Sequence, residues 1–234
     1  MPSFEHTYSS EQLWQMVFYV KSLQKLPKEY DPSDPKRYLL QVFSHSGEIP
    51  ADFKDPSWEQ IKAVPVFLKQ IRSEKGMVEW LMVKALHNEK EIAFYLSWED
   101  ATSNTLPQIS DAVAMQFPAE KIENGAELPY LGMGHAGRPV RLWEWKPSGA
   151  KFFHAEGIQN IRPLKPETVS TTATGLYREG KWHVLFKAPL KPARNQDVSF
   201  LEVGYLSLAL WDAALPPHPG PHAFSEWMLY EIQK

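Results

Sequence analysis

A methionine set between two glycines is the part of this sequence with the most distinctive chemistry. It lies in Tyr130-Leu131-Gly132-Met133-Gly134-His135-Ala136-Gly137-Arg138-Pro139-Val140-Arg141, with Leu142-Trp143-Glu144-Trp145 behind it. Gly132 and Gly134 let the backbone pass close to a flat ligand and leave the thioether of Met133 uncrowded. A thioether is a soft, neutral donor of the kind that haem iron accepts on one axial side. The same side chain also fills irregular gaps in apolar cores, which is the ordinary work of a methionine. Spacing alone leaves both readings open.

Other chemistries find little support. No Ser/His/Asp triad, Gly-rich phosphate loop or supported carboxylate pair stands out, and Asp100 and Asp111 read as turn formers. The chain has no cysteine. That rules out disulfides, thiolate iron–sulfur ligation and a Cys-x-x-Cys-His haem attachment within these residues. A formal net charge of −3 gives no footprint for nucleic acid or an anionic membrane. No run of about 18 apolar residues exists, so no membrane span is expected. The N-terminus lacks a basic region followed by an apolar run, so no secretory signal is legible in these residues.

The elements that must position Met133 are mostly strands. Hydrophobic residues make up 43% of 234, with nine Trp, nine Tyr and twelve Phe, and the twenty prolines favour many short connections. Residues 76–86 and 91–98 alternate in character and are joined by His87-Asn88-Glu89-Lys90, which predicts a hairpin. In the second run Ile92, Phe94, Leu96 and Trp98 share one face, and Ala93, Tyr95 and Ser97 the other. Further strands are predicted over 111–117, 139–145, 181–185 and 200–211, with Met115 packed in the core. The expected fold is mainly β, a two-sheet antiparallel β-sandwich with short helices. At the N-terminus, Ser9 and Gln12 stand at capping-box spacing before an apolar run, which predicts a helix. Tyr30-Asp31-Pro32-Ser33-Asp34-Pro35 reads as a linker.

Two family resemblances refine this. Met1-Pro2-Ser3-Phe4, followed by Ser9-Glu11-Gln12-Leu13-Trp14 and Val17 to Leu23, resembles the axial-methionine loop and final helix of a class I cytochrome c. The resemblance implies that residues 1–30 are the C-terminal fragment of such a domain, with its haem c in a missing upstream part. Residues 31–46 are then a linker and first strand.

Residues 47–234 resemble the haem-b-binding γ subunit of ethylbenzene dehydrogenase and its dimethylsulfide, selenate and chlorate reductase-type relatives. The matching blocks run in order: Gly47-Glu48-Ile49-Pro50 with Asp55-Pro56-Ser57-Trp58; Phe94 to Thr102; Asp111-Ala112-Val113-Ala114-Met115-Gln116-Phe117-Pro118; Gly132-Met133-Gly134 with Trp143-x-Trp145; Gly180-Lys181-Trp182; Ala209 to Asp212; and Ser225-Glu226-Trp227.

In that family a non-covalent haem b is held by a methionine and, usually, a lysine. Met133 stands at the methionine position. The lysine position precedes Ser225-Glu226-Trp227, and here His222 stands in that segment, so the resemblance implies Met133 and His222 as the iron ligands. Imidazole is a good iron ligand at neutral pH. His218, His154 or a lysine are the competitors for the second site. His135, two residues beyond Met133, is too close in sequence to approach from the opposite face. Gly132 and Gly134 would line the haem, and Arg138 and Arg141 would pair with its propionates or simply face solvent.

The function implied is electron transfer, not substrate chemistry. This would be a non-catalytic subunit relaying electrons between a molybdopterin catalytic subunit, through an iron–sulfur subunit, and a soluble cytochrome or quinone-linked acceptor. The resemblance implies a periplasmic location, with the signal upstream. The alternative is a carbohydrate-binding β-sandwich without haem, using Trp143, Trp145, Trp182 and Trp211 as a sugar platform.

Overall fold

The structure is a computed structural model that describes residues 39–71, 78–106, 109–123, 125–200, 202–215 and 221–233. Its strands are β1 (Leu39–Ser44), β2 (Val64–Phe67), β3 (Lys69–Gln70), β4 (Trp80–His87), β5 (Glu91–Glu99), β6 (Thr105–Leu106), β7 (Ile109–Ser110) and β8 (Ala112–Pro118). They continue as β9 (Val140–Lys146), β10 (Gly149–Ala155), β11 (Ile161–Pro163), β12 (Thr172–Arg178), β13 (Lys181–Pro189), β14 (Val203–Trp211), β15 (Ala223–Phe224) and β16 (Met228–Ile232). One short α-helix, α1 (Pro56–Glu59), starts where the Asp55 side chain accepts from the Ser57 amide, with Pro56 in its first turn.

The main sheet runs in the order β11-β10-β9-β8-β14-β16-β1-β4-β5-β13-β12. It folds over so that its two ends face each other. Trp143 and Trp145 of β9 meet Phe186 and Trp182 of β13, and Phe94 of β5 meets Phe117 of β8. The core between the two layers takes one face of each strand: Ile92, Phe94, Leu96 and Trp98; Val113, Met115 and Phe117; Leu206, Leu208 and Leu210. Met115 is fully buried there, as its spacing predicts. Burying aromatic side chains of this size is the largest favourable term available to such a fold.

The predicted hairpin is β4–β5, closed by Asn88, whose side chain accepts from the Lys90 and Glu91 amides. The opposite face of β5 is also covered: Ala93 and Tyr95 pack with Ile49, Trp58 and Ile61 beside α1.

One expectation changes. The sheet is mixed, because β1 runs parallel to both neighbours, β16 and β4. Alternation along a strand tells which face is buried but carries no signal for the direction of its neighbours. The N-terminal helix and the cytochrome-like fragment lie outside the described residues, so the architecture seen is the β-domain with α1.

Candidate functional site

Met133 sits on the outer face of the layer formed by β10, β9, β8 and β14. It packs there, half-buried, with Phe153 and Trp227 against Val140, Leu142 and Ala155. Its backbone has φ 70°, a left-handed conformation that costs a non-glycine residue about 1–2 kcal/mol. The loop holds it by a set of backbone bonds. The Gly134 amide donates to the Tyr130 carbonyl at 2.8 Å, and the Gly157 amide donates to the Met133 carbonyl at 2.8 Å. The Gln116 side chain donates to the Leu131 carbonyl at 3.3 Å, and the Trp227 indole to the Pro129 carbonyl at 2.8 Å. A strained residue over-determined by its surroundings is a reason to look for function at that position.

The fold itself requires Gly134 and crowds Gly132. A Cβ on Gly134 would stand 2.7 Å from the Arg138 carbonyl, and one on Gly132 would run into the Tyr130 ring. Gly134 also has φ 76°. The close approach that these glycines permit is therefore to the protein's own chain at least as much as to a ligand.

The predicted second ligand lies elsewhere. His222 precedes Ala223, which pairs with Leu210, and Leu210 pairs with Val113. Met133 packs on the cluster of Val140 and Leu142, whose partners on β8 are Pro118 and Gln116. Along β8 these lie ~13–20 Å from Ala112, the row of His222, at 3.3 Å per residue. The His222 Nδ1 accepts from the Asp212 amide at 3.0 Å. A neutral imidazole has one nitrogen lone pair, so that bond places the proton on Nε2 and engages the donor electrons. Met133 could supply a sulfur donor to haem iron, with a half-buried thioether on an apolar bed. This arrangement does not bring His222 to it.

The other predicted residues divide in the same way. Arg138 stays near Met133, but its guanidinium donates to the Glu127 carbonyl at 2.8 Å and pairs with the Glu127 carboxylate at 3.7 Å. Arg141 alternates with Val140 and Leu142 and so points to the opposite face from Met133. There it meets His154 and donates to the Gln196 carbonyl at 3.2 Å. Burial, followed by the nearby Arg162, lowers the Arg141 pKa. His154 is held on both ring nitrogens, by Arg141 and by Glu156 at 3.0 Å, and that bond is the main reason the Glu156 pKa is lowered. His135 is exposed, and its Nδ1 accepts from the Tyr130 amide at 3.3 Å. His218 lies outside the described residues. A small cleft of about 80 Å³ opens between Phe117–Ile122 and Val203–Tyr205, and none of these site residues lines it.

The proposed sugar platform is instead mostly buried. Trp143, Trp145 and Trp182 are 2–3% exposed and belong to the core between the layers. The sequence missed a different feature, a cluster of Asp100, Asp111 and Asp212. Each lies at a strand end, where aspartate ordinarily signals a turn, so nothing in the sequence separates the two roles.

Comparison with known proteins adds the following. Residues 55–163 match the family described as ethylbenzene dehydrogenase. Over 183 residues the chain is 25% identical to the protein named "Putative respiratory nitrate reductase heme subunit ORF7" of Haloferax mediterranei, covering 73% of this chain and 64% of that one. The chain thus spans less than two thirds of that relative. Among solved structures, a carbohydrate binding module of family 9 from Caldicellulosiruptor kristjanssonii in complex with glucose aligns with a TM-score of 0.49 at 10% identity, covering 83% of this chain and 95% of that chain. The same module in complex with cellotriose aligns with a TM-score of 0.46 at 10% identity, covering 83% and 93%.

Proposed function

From the match of residues 55–163 to the ethylbenzene dehydrogenase family, we propose that this chain is a haem-carrying electron-transfer component of an oxidoreductase complex. The observation that carries the reading is Met133, a strained and half-buried methionine on an apolar face, inside the matched segment. The relative from Haloferax mediterranei, named as a heme subunit of a respiratory nitrate reductase, supports the same reading.

Met133 would hold the group by its thioether. Bound in this way, haem supplies reversible one-electron chemistry, and a methionine ligand raises its potential. The residues of this chain do the positioning. Val140, Leu142, Phe153 and Trp227 supply an apolar bed that excludes water from the thioether's inner side. The Tyr130–Gly134 and Met133–Gly157 backbone bonds hold the loop, which lowers the ordering cost of binding. The haem is read as a non-covalent haem b. The partners are read as a molybdopterin catalytic subunit with an iron–sulfur subunit on one side and a soluble cytochrome on the other, in the periplasm. A haem c on an upstream domain belongs to the same proposal.

The test is reconstitution of the full chain with haem. The expected result, with a lysine as the second donor, is a low-spin spectrum with sharp bands on reduction and a sulfur-to-iron charge-transfer band on oxidation. A protein that binds haem with no such band, or binds none, overturns the assignment of Met133.

A further inference from the structure

Three carboxylates meet inside this domain, far from Met133. Asp100 follows β5, Asp111 precedes β8 and Asp212 follows β14, and each is buried, at 8%, 0% and 6% exposure. One carboxylate oxygen from each lies within 4.8 Å of the others. Among the described residues no ion pair reaches any of them.

Their hydrogen bonds leave specific oxygens over. Asp111 accepts from the Ala213 amide on Oδ1 and from the Asn104 amide and the Trp182 indole on Oδ2. Asp212 accepts from the Ala214 amide on Oδ1. Asp100 gives Oδ1 to the amide and hydroxyl of Thr102, while its Oδ2 is buried with no hydrogen-bond partner at all. A buried, unpartnered carboxylate oxygen beside two further carboxylates is costly unless a proton or a cation compensates it. Burial already pushes the Asp111 and Asp212 carboxyls above their usual range, with the Asp100 charge adding to both.

We propose that Asp100, Asp111 and Asp212 form a binding site for a hard divalent cation of the Ca²⁺ class, which clasps the ends of β5, β8 and β14. The donor set is oxygen alone, the choice of Ca²⁺ and Mg²⁺ over softer metals. Ca²⁺ is favoured of the two. It accepts an irregular set of oxygens, whereas Mg²⁺ demands a near-ideal octahedron and keeps several waters, for which a site of buried carboxylates leaves little room. The site joins the two layers: Asp100 continues a strand of one, Asp111 starts a strand of the other, and Trp182 of β13 donates to Asp111. This inference does not depend on the haem reading.

The test uses the full chain after dialysis against EDTA, with thermal unfolding and Tb³⁺ luminescence excited through tryptophan as readouts. Trp182, bonded to Asp111 at 3.0 Å, sits where it would sensitise a bound lanthanide. Ca²⁺ at a hundredfold excess over its Kd is expected to raise the melting temperature on the order of 5 to 10 °C. Tb³⁺ is expected to emit at one equivalent and to be displaced by Ca²⁺. Asp100→Asn should lose both responses, and its metal-free form should melt above metal-free wild type, because one uncompensated charge is gone. No Ca²⁺ response in wild type, or tryptophan-sensitised Tb³⁺ emission that survives in Asp100→Asn, overturns the site. Should that variant not fold, the wild-type Ca²⁺ and Tb³⁺ responses decide the question by themselves.

Discussion

The Trp227 indole N–H donates to the Pro129 carbonyl across 2.8 Å, and its ring packs on the same apolar cluster as Met133. The C-terminal segment thus anchors a loop that lies almost a hundred residues earlier in the chain. Trp227→Phe keeps most of the packing and removes the hydrogen bond. It should cost ~1 kcal/mol, a fall of about 2–4 °C in melting temperature, and weaken haem affinity without changing the ligand spectrum. Calorimetry and haem titration check both arms.

Met133→Leu separates the thioether from its bulk. Leucine fills a similar volume, so stability should change by less than ~1.5 kcal/mol. The oxidised haem complex should lose its sulfur-to-iron band and turn high-spin. An unaltered spectrum would move the sulfur ligand, or the whole haem, to another part of the chain.

His222→Ala discriminates the geometry from the family pattern. With Nδ1 engaged by Asp212 and its row ~13–20 Å along the sheet from the Met133 cluster, the variant should keep the wild-type haem spectrum. Its measurable effect should be a stability loss of ~1 kcal/mol from the broken bond to Asp212. Loss of the low-spin spectrum in this variant would show that the C-terminal loop rearranges to place His222 on the iron.

Gly134→Ala probes the loop directly. The added methyl meets the Arg138 carbonyl at 2.7 Å in a residue held at φ 76°, so steric and conformational costs combine. We expect a destabilisation of ~2 kcal/mol and a larger fractional loss of haem affinity, because the displaced segment carries Met133. Unfolding curves and haem titration on one sample report both.

The Tyr95–His183 pair gives the domain a pH dependence. Tyr95 Oη and His183 Nδ1 are 2.6 Å apart, which suits a tyrosine hydroxyl donating to a neutral imidazole. Burial, then the charges of Lys181 and Arg178, lowers the His183 pKa below the usual histidine value of about 6.5. The unfolded chain therefore binds a proton before the folded one does. Stability from this residue is full above the unfolded pKa and is lost as pH falls below ~6.5 toward the folded value. His183→Phe should flatten the loss of melting temperature between pH 7.5 and 5.5 relative to wild type; an identical slope in both proteins would refute the assignment.

Much of this molecule was legible from residue order alone, and for a physical reason. Side chains in a strand alternate with period two, so Ile92, Phe94, Leu96 and Trp98, and again Val113, Met115 and Phe117, declare a buried face before any fold is known. The Met133 loop was also legible, because glycines on both sides of a methionine are unusual enough to mark a constrained turn. Tertiary structure decided what lies across from what. The parallel pairing of β1 with β16 and β4, the turning of Arg141 away from Met133, and the distance between Met133 and His222 all depend on strand order and register, which local pattern does not encode. The same holds for Asp100, Asp111 and Asp212. Each reads as an ordinary turn residue in the sequence, and only the folded sheet brings the three carboxylates, separated by up to 112 positions, within reach of one another.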